Sequence, residues 1–265
     1  MDYNLILFDM DGTLVDSSSL TSPGIQTLLQ VVRNRGLAIP EDIETRIRNN
    51  FPMSFSEGGQ TMTKVFDVGE DIGQKIIDDW DAADRKTPPP IIEGFYKLML
   101  SLRQYYRDKA ILWGIITRRE SESLEIILKN HGIYEHFVFH DSNFEENALL
   151  FSSDWGSVSK PNPELFTKIF EYIDDCFDDF FSPDCLYVGD TIEDATFAIT
   201  AGVDFVAVTS GLDKKERFLE IGIKPENILS SISDLPAFLG LPSSRLKEYG
   251  INVDELMRWA KSIDI

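Results

Sequence analysis

The stretch LILFDMDGT, at positions 5–13, decides the fold of this chain. Its first part, Leu5–Phe8, is a short apolar run bounded by a turn, which predicts a strand buried within a sheet. Asp9 and Asp11 follow at the carboxyl end of that strand, where parallel sheets bind their ligands. Gly12 permits a sharp turn and a close approach of backbone N–H groups to a bound molecule. The stretch predicts an acidic site at a strand end, although a solvated acidic turn would have the same sequence.

Four further apolar runs predict strands, and segments with helical periodicity fill the intervals between them. These strands are predicted at Ala110–Ile116, Phe137–Phe139, Cys185–Val188 and Phe205–Val208. Strands that alternate with helices indicate a parallel sheet with helices on both faces. We therefore expect an α/β fold with a Rossmann-like core.

A helical block interrupts this alternation directly after the first strand. From 17 to 90 the pattern indicates helices and no strand, and Pro88–Pro90 ends the block with a stiff segment that cannot be helical. An insertion of this size predicts a separate α-helical cap. The segment 141–159 is long for a loop and predicts a flap or added strands. The expected division is a catalytic core of 1–16 and 91–241, a cap of 17–90 and a helical tail of 242–265.

Composition and charge exclude several classes of partner. The chain has 45 acidic and 25 basic residues, a net charge of −20, which repels nucleic acid and anionic lipid. No segment approaches the roughly 18 apolar residues of a membrane span, and the first residues lack the pattern of a signal peptide. The two cysteines do not suggest a disulfide framework. We expect a cytoplasmic monomer or homodimer with neither nucleic acid nor membrane as a partner.

A second acidic segment follows another predicted strand. The sequence GDTIED at 189–194 places Asp190 at the strand's carboxyl end and Asp194 one helical turn later. Asp194 is equally explained as a favourable charge in the first turn of a helix. Together with the first segment, these residues supply an oxygen-rich site that suits Mg²⁺ rather than zinc.

Two more segments contain candidate phosphate ligands. Thr117 ends the second predicted strand, where a hydroxyl and neighbouring N–H groups can hold phosphate oxygens. A helix N-cap is the alternative explanation for this threonine. Lys160 stands directly before Pro161 at a predicted helix start. It is either a surface lysine or a cation that neutralises carboxylates and phosphate.

In this order, the segments resemble the signature of the haloacid dehalogenase-like hydrolase superfamily. The match consists of DMDGT at 9–13, Thr117, Lys160 before its proline, and Gly-Asp-(three residues)-Asp at 189–194. It covers roughly residues 4–17 and 91–240, and the helical block resembles the cap of the phosphoglycolate phosphatase-like branch. Four motifs found together are far more specific than any one of them.

This resemblance implies a magnesium-dependent phosphatase that acts on a small phosphorylated metabolite. Asp9 would be the nucleophile that forms an aspartyl-phosphate, and Asp11 the general acid–base. Mg²⁺ would be held by Asp9, the backbone carbonyl of Asp11 and Asp190, with Asp194 in support. The implied catalytic residues are Asp9, Asp11, Thr117 and Lys160, the substrate-binding residues Gly12, Thr117, Arg118 and Lys160, and the metal-site residues Asp9, Asp11, Asp190 and Asp194.

The sequence leaves the substrate and two alternatives open. Thr117 is followed by Arg118 and Arg119, where phosphoglycolate phosphatases usually have Asn-Lys, which puts that substrate in doubt. A sugar-phosphate mutase of the β-phosphoglucomutase kind has the same motifs, and a non-catalytic binding protein could keep the fold. A dehalogenase is disfavoured because Asp11 serves phosphoryl chemistry. The candidate cations of the cap are Arg46, Arg48, Lys64 and Arg85.

Overall fold

A computed structural model describes residues 3–17, 21–51, 58–106, 111–140, 143, 145–177 and 184–241. Its strands are β1 (Leu5–Phe8), β2 (Leu112–Ile116), β3 (Val138–His140), β4 (Glu146–Ala148), β5 (Leu150–Phe151), β6 (Cys185–Gly189), β7 (Asp204–Val208) and β8 (Ile228–Leu229). Its α-helices are α1 (Pro23–Asn34), α2 (Ile43–Asn50), α3 (Gly58–Phe66), α4 (Glu70–Lys86), α5 (Phe95–Tyr106), α6 (Ser121–Asn130), α7 (Glu164–Cys176), α8 (Ile192–Thr200), α9 (Lys215–Glu220) and α10 (Leu235–Phe238).

The main sheet has six parallel strands in the order β5-β2-β1-β6-β7-β8. β1 lies near the middle, with Phe8 opposite Ile115 on one side and Val188 on the other. All four side chains of β1 are buried, as expected for an apolar strand with neighbours on both edges. The predicted fold class, a Rossmann-like α/β core with an inserted helical segment, is confirmed. The sheet aligns the carboxyl ends of β1, β2 and β6 along one edge.

The predicted third strand, Phe137–Phe139, is not part of this sheet, and that prediction was wrong. A 3₁₀ turn occupies Tyr134–Phe137, and β3 pairs antiparallel with β4 in a separate two-stranded sheet. β5, from within the segment 141–159, is the strand that pairs with β2. A Cβ on Gly114 would lie only 2.6 Å from the Leu149 carbonyl oxygen, so this glycine lets the added segment approach closely. The alternative of added strands in 141–159 is therefore the correct one.

The inserted block forms a second group of helices around its own hydrophobic cluster. The side chain of Ser22 caps α1 by accepting a hydrogen bond from Ile25 N at 3.1 Å. The four described helices of the block, α1 to α4, agree with the prediction that this segment is helical. One residue of the core, Leu212, joins the cluster. The buried apolar residues contributed by the block are Ile25, Leu28, Leu29, Val32, Ile47, Met62, Val65, Phe66, Ile76 and Ile77.

The two chain segments that connect the block to the core run side by side. Asp16 N donates to Pro90 O at 2.8 Å, and Ile92 N donates to Leu14 O at 2.9 Å. The chain therefore passes from the core to the block and back at the predicted boundaries, near 16 and 91. The division into domains stays a prediction. The predicted helical tail, 242–265, lies outside the described residues. Among the helices that are described, none has the length and apolar character needed to cross a membrane.

Candidate active site

The candidate residues of the core meet at the carboxyl edge of the main sheet. Asp9 follows β1, Thr117 follows β2 and Asp190 follows β6, and Asp9 N donates to Val188 O at 2.8 Å, which holds two of these strand ends together. Lys160, from the loop before α7, reaches the same place. Gly12 has a φ of 84°, a conformation that other residues adopt only with strain. Four separate segments thus form one cluster.

Lys160 bridges two buried carboxylates of this cluster. Its Nζ lies 2.7 Å from Asp9 Oδ1 and also pairs with Asp194 Oδ1. Burial raises the pKa of Asp9 to about 7, although the charge of Lys160 opposes that rise. Burial alone would lower the pKa of Lys160, but the charges of Asp194 and Asp9 raise it above its ordinary value. The lysine therefore remains a cation and holds one oxygen of Asp9 in place, which excludes the surface alternative.

Three buried aspartates have the composition and spacing of a metal site. Carboxylate oxygens of Asp9, Asp190 and Asp194 all lie within 4.8 Å of one another. Asp190 Oδ2 accepts a 2.7 Å hydrogen bond from Leu212 N. A Cβ on Gly211 would lie 1.8 Å from that oxygen, so only glycine leaves room for the carboxylate there. An all-oxygen donor set of this kind fits a hard divalent cation such as Mg²⁺.

Asp194 lies in the first turn of α8, as one of the two explanations from sequence predicts, and it also contacts the acidic cluster through Lys160. It is the third residue of α8 and forms a reciprocal capping box with Thr191. Its oxygens also accept hydrogen bonds from Tyr187 Oη at 2.9 Å and from Thr191 Oγ1 at 2.6 Å, in addition to the ion pair with Lys160. Because these donors already occupy it, Asp194 is better suited to fix Lys160 than to bind a metal directly.

Thr117 is buried at the end of β2 and is not the N-cap of α6. That helix begins at Ser121, and its N-cap is Glu120. The Thr117 hydroxyl oxygen accepts from Arg119 N at 3.2 Å, and the residue lines the same cavity as Asp9. This arrangement leaves the hydroxyl proton available to a phosphate oxygen, because the observed bond uses the hydroxyl as an acceptor.

Arg119 forms a second bridge between carboxylates, and this one joins the core to the helical block. Its Nε and Nη2 donate to Asp11 at 2.8 and 2.7 Å, and Nη2 also lies 3.1 Å from Asp84 Oδ2 in α4. Burial alone would raise the pKa of Asp11, but Arg119 and the hydroxyl of Ser17 bring it below its ordinary value. Asp11 is therefore an ionised, bidentate partner of an arginine.

Other polar contacts also join α4 to the core. Arg85 donates to Glu122 at 2.6 Å and to Asp81 at 2.6 Å. Ser123 Oγ in turn donates to Asp81 at 3.0 Å. Of the four cap cations considered from sequence, Arg85 lines the cavity, while Arg46 pairs with exposed carboxylates elsewhere in the block. Arg48 and Lys64 are not among the described residues that line the cavity.

Arg118, predicted to bind substrate, also lines the cavity and pairs with Glu193 at the start of α8. The structure thus brings every predicted site residue to one edge of the sheet except Gly12, which lies in the adjacent turn. Sequence reasoning missed the roles of Asp84, Arg119 and Trp80. The first and last belong to the amphipathic helix α4, where the sequence does not mark the residues that face the core. For Arg119, the sequence feature that could have indicated a role was its position beside Arg118, directly after the predicted strand end at Thr117.

The site opens into a cavity of about 140 Å³ between the core and α4. The core supplies the candidate ligands of phosphate and metal. The helical block supplies a wall that includes the aromatic pair Phe51 and Trp80. The described residues of the core that line the cavity are Asp9, Asp11, Ser17, Thr117, Arg118, Arg119, Glu120, Ser123, Lys160, Asp190, Thr191, Asp194 and Leu212. Those of the block are Phe51, Ile77, Trp80, Asp81, Asp84 and Arg85.

Comparisons with known proteins agree with this geometry. The model of the haloacid dehalogenase-like hydrolase family matches residues 6–208. A phosphoglycolate phosphatase of Vibrio parahaemolyticus is 23% identical over 88% of this chain and 95% of its own length. The pyrophosphatase PpaX of Bacillus cereus is 25% identical over 89% of this chain and 95% of its own.

A solved structure shows the same fold. It is the HAD-hydrolase YfnB of Bacillus subtilis bound to magnesium, with a TM-score of 0.62 and 18% identity over 91% of this chain and all of that one. The curated relatives are named phosphatases, which confirms the prediction of a phosphatase-type enzyme. Because the family model spans most of the sequence, this chain belongs to the haloacid dehalogenase-like hydrolases.

Proposed function

We propose that this chain is a magnesium-dependent phosphatase that hydrolyses a small phosphate monoester through an aspartyl-phosphate on Asp9. The observation that carries the proposal is the cluster of Asp9, Lys160 and Thr117 beside Asp190 at one buried strand edge. Phosphoryl transfer needs positioning and charge neutralisation more than other covalent chemistry. A nucleophile, two phosphate ligands and a cation site are the parts that it requires.

Asp9 would attack phosphorus with a carboxylate oxygen, and the bond from phosphorus to the ester oxygen would break. Burial deprives this carboxylate of water, which favours its neutral form. Lys160, 2.7 Å away, counteracts part of that effect and favours the ionised form that attack requires. The lysine would also neutralise charge on the phosphoryl oxygens, together with the hydroxyl of Thr117. A magnesium ion held by Asp9, Asp190 and the Asp11 backbone would neutralise more of that charge.

Asp11 would transfer the proton in both halves of the reaction. In the first half it would protonate the leaving oxygen, and in the second it would accept a proton from the water that attacks the aspartyl-phosphate. The ion pair with Arg119 favours the ionised form, which suits the second half. Protonation of Asp11 before the first half would require that ion pair to weaken.

The helical block would act as a cap that closes over the substrate. Support comes from its separate hydrophobic cluster, from the paired connecting segments at 16 and 91, and from the cavity between it and the core. Closure of a lid excludes water and supplies specificity. We further propose a small phosphorylated metabolite as the substrate and a cytoplasmic monomer or homodimer as the working form.

Hydrolysis of p-nitrophenyl phosphate tests this function. With Mg²⁺, the wild type should release phosphate, and EDTA should abolish the release. Asp9→Asn should lose at least about 10³-fold in turnover, as enzymes do on loss of a nucleophile. Asp204→Asn, the same change at the amino end of the sheet, serves as the matched control. Metal-independent turnover, or full activity in the Asp9 variant, would contradict the proposal.

A further inference from the structure

Part of the cavity wall is apolar and aromatic. Phe51, Ile77 and Trp80 line it from the helical block, and Leu212 lines it from the core. The rings of Phe51 and Trp80 lie 6.0 Å apart between centroids. Trp80 Nε1 donates to Gly24 O at 3.1 Å, so the polar atom of the indole is satisfied and its orientation is fixed. The wall therefore offers a preformed surface for an apolar group.

Each cation that lines the cavity already pairs with a carboxylate of the protein. Lys160 pairs with Asp9 and Asp194, and Arg119 pairs with Asp11 and Asp84. The remaining two are Arg85, which pairs with Asp81 and Glu122, and Arg118, which pairs with Glu193.

Acidic groups outnumber basic ones around the cavity. Seven carboxylates and four cations are among the described residues that line it. A phosphoryl group has Lys160 and the candidate metal site to compensate its charge. A second anionic group on the substrate would have to break an existing ion pair or remain close to carboxylates, and either is unfavourable. The charge distribution therefore disfavours substrates such as phosphoglycolate, which have a carboxylate beside the phosphate.

The size of the cavity limits the leaving group further. Its volume is about 140 Å³, close to the ~150 Å³ of an apolar cavity that accommodates benzene. Since the phosphoryl group also takes part of this space, the cavity accommodates at most one ring and excludes a large glycan or a long chain.

On the basis of the proposed phosphatase function, we propose that the substrate is a phosphate monoester of an uncharged alcohol or phenol whose single flat ring packs against Trp80 and Phe51. The phosphoryl group lies at Asp9, Thr117 and Lys160, and the ring points toward α4. Specificity then comes from apolar contact and from the absence of a second negative charge. This class of substrate places no second anionic group beside the paired cations of the cavity.

Binding of three phosphonates, which the enzyme cannot hydrolyse as esters, tests this inference by calorimetry with Mg²⁺. Phenylphosphonate supplies the ring, while ethylphosphonate and phosphonoacetate share a two-carbon chain and differ in that a carboxylate replaces the methyl group. Phenylphosphonate should bind about tenfold more tightly than ethylphosphonate, as expected for burial of one ring. Phosphonoacetate should bind most weakly. The inference would be overturned by phosphonoacetate binding more tightly than ethylphosphonate, or by no binding of any of them.

Variants of Trp80 assign the preference to the aromatic wall. Trp80→Leu should remove most of the advantage of phenylphosphonate and leave ethylphosphonate binding unchanged, whereas Trp80→Phe should retain part of it. Ile72→Ala alters an exposed residue of the same helix, outside the cavity lining, and should change neither. An equal loss of affinity for all three phosphonates in the Trp80→Leu variant would point to general damage and contradict the assigned role.

Hydrolysis assays separate this inference from the function on which it rests. Ethyl phosphate, phenyl phosphate and 2-phosphoglycolate form the corresponding set of esters. Turnover that is highest with 2-phosphoglycolate would overturn the inference and leave the phosphatase function standing. A clear preference for phenylphosphonate in binding, without hydrolysis of any ester, would support the preference for a ring and contradict the phosphatase function.

Discussion

Two buried cations each bridge two carboxylates at the site, and their settings differ. Lys160 lies between Asp9 and Asp194, and side-chain exposures of these three residues are 3%, 9% and 1%. Arg119 lies between Asp11 and Asp84, whose side chains are 30% and 4% exposed. The lysine bridge belongs entirely to the core, whereas the arginine bridge joins the core to helix α4.

This difference indicates which parts of the site the core forms without the helical block. The lysine bridge is assembled by the folding of the core alone, because β1, α8 and the loop before α7 supply all of its members. The arginine bridge requires α4 to lie against the core, so its contact with Asp84 depends on the position of the helical block. The proposed nucleophile is thus preorganised, while the environment of the proposed acid–base depends on where the helical block lies.

The largest expected effect is on Lys160. Lys160→Met removes a cation that pairs with two buried carboxylates, and breaking a buried pair in this way costs about 3–5 kcal/mol. The free energy of unfolding in EDTA, from denaturant titration, should fall by that amount, and Mg²⁺ should restore part of it. A change below about 1 kcal/mol, the range of exposed pairs, would contradict the buried bridge.

Loss of the acid–base should depend on the leaving group. Asp11→Asn should lower turnover of ethyl phosphate by about 10²- to 10⁴-fold, the usual contribution of a general acid–base. Turnover of p-nitrophenyl phosphate should fall less, because its leaving group needs no proton. Steady-state kinetics on both esters measure the difference. Equal losses on the two substrates would mean that Asp11 does not protonate the leaving oxygen.

The arginine bridge should appear as a coupling energy across the interface. A double-mutant cycle with Arg119→Met and Asp84→Asn should give about 0.5–3 kcal/mol of coupling in the free energy of unfolding, the range for residues in direct contact. Asp79→Asn alters an exposed carboxylate of the same helix, which pairs with Arg35, and provides the matched control. If the effects of the two substitutions on the free energy of unfolding are additive, Arg119 and Asp84 do not interact in solution, which would mean that α4 lies away from the core there.

The smallest effect is a pH dependence from Asp84. Burial raises the pKa of this carboxyl to about 6 from an ordinary value of 3.8, against the opposing charge of Arg119. Its contribution to stability is therefore full below pH 3.8 and is lost as the pH rises through 6. The free energy of unfolding of the wild type, minus that of Asp84→Asn, should fall between pH 4 and 6. A rise over that interval would mean that the ion pair with Arg119 outweighs burial.

The sequence by itself determined the core and the site residues at its strand ends. Short apolar runs that end in Asp9, Thr117 and Asp190 predict strands, and parallel strands place their carboxyl ends together for topological reasons. Each of these motifs lies within a few residues of the strand that positions it, so local pattern was sufficient. The same rule failed at Phe137–Phe139, because three apolar residues do not specify which sheet a strand joins.

Only the tertiary structure decided the second bridge and the aromatic wall. Arg119 and Asp84 are far apart in sequence, and their meeting depends on how α4 packs against α6. An amphipathic helix shows which of its faces is buried, but not which polar residues border a neighbouring domain. Trp80 likewise has the sequence features of an ordinary core residue. Contacts between separately folded parts are set by packing over long sequence distances, and for that reason they leave no local pattern in the sequence.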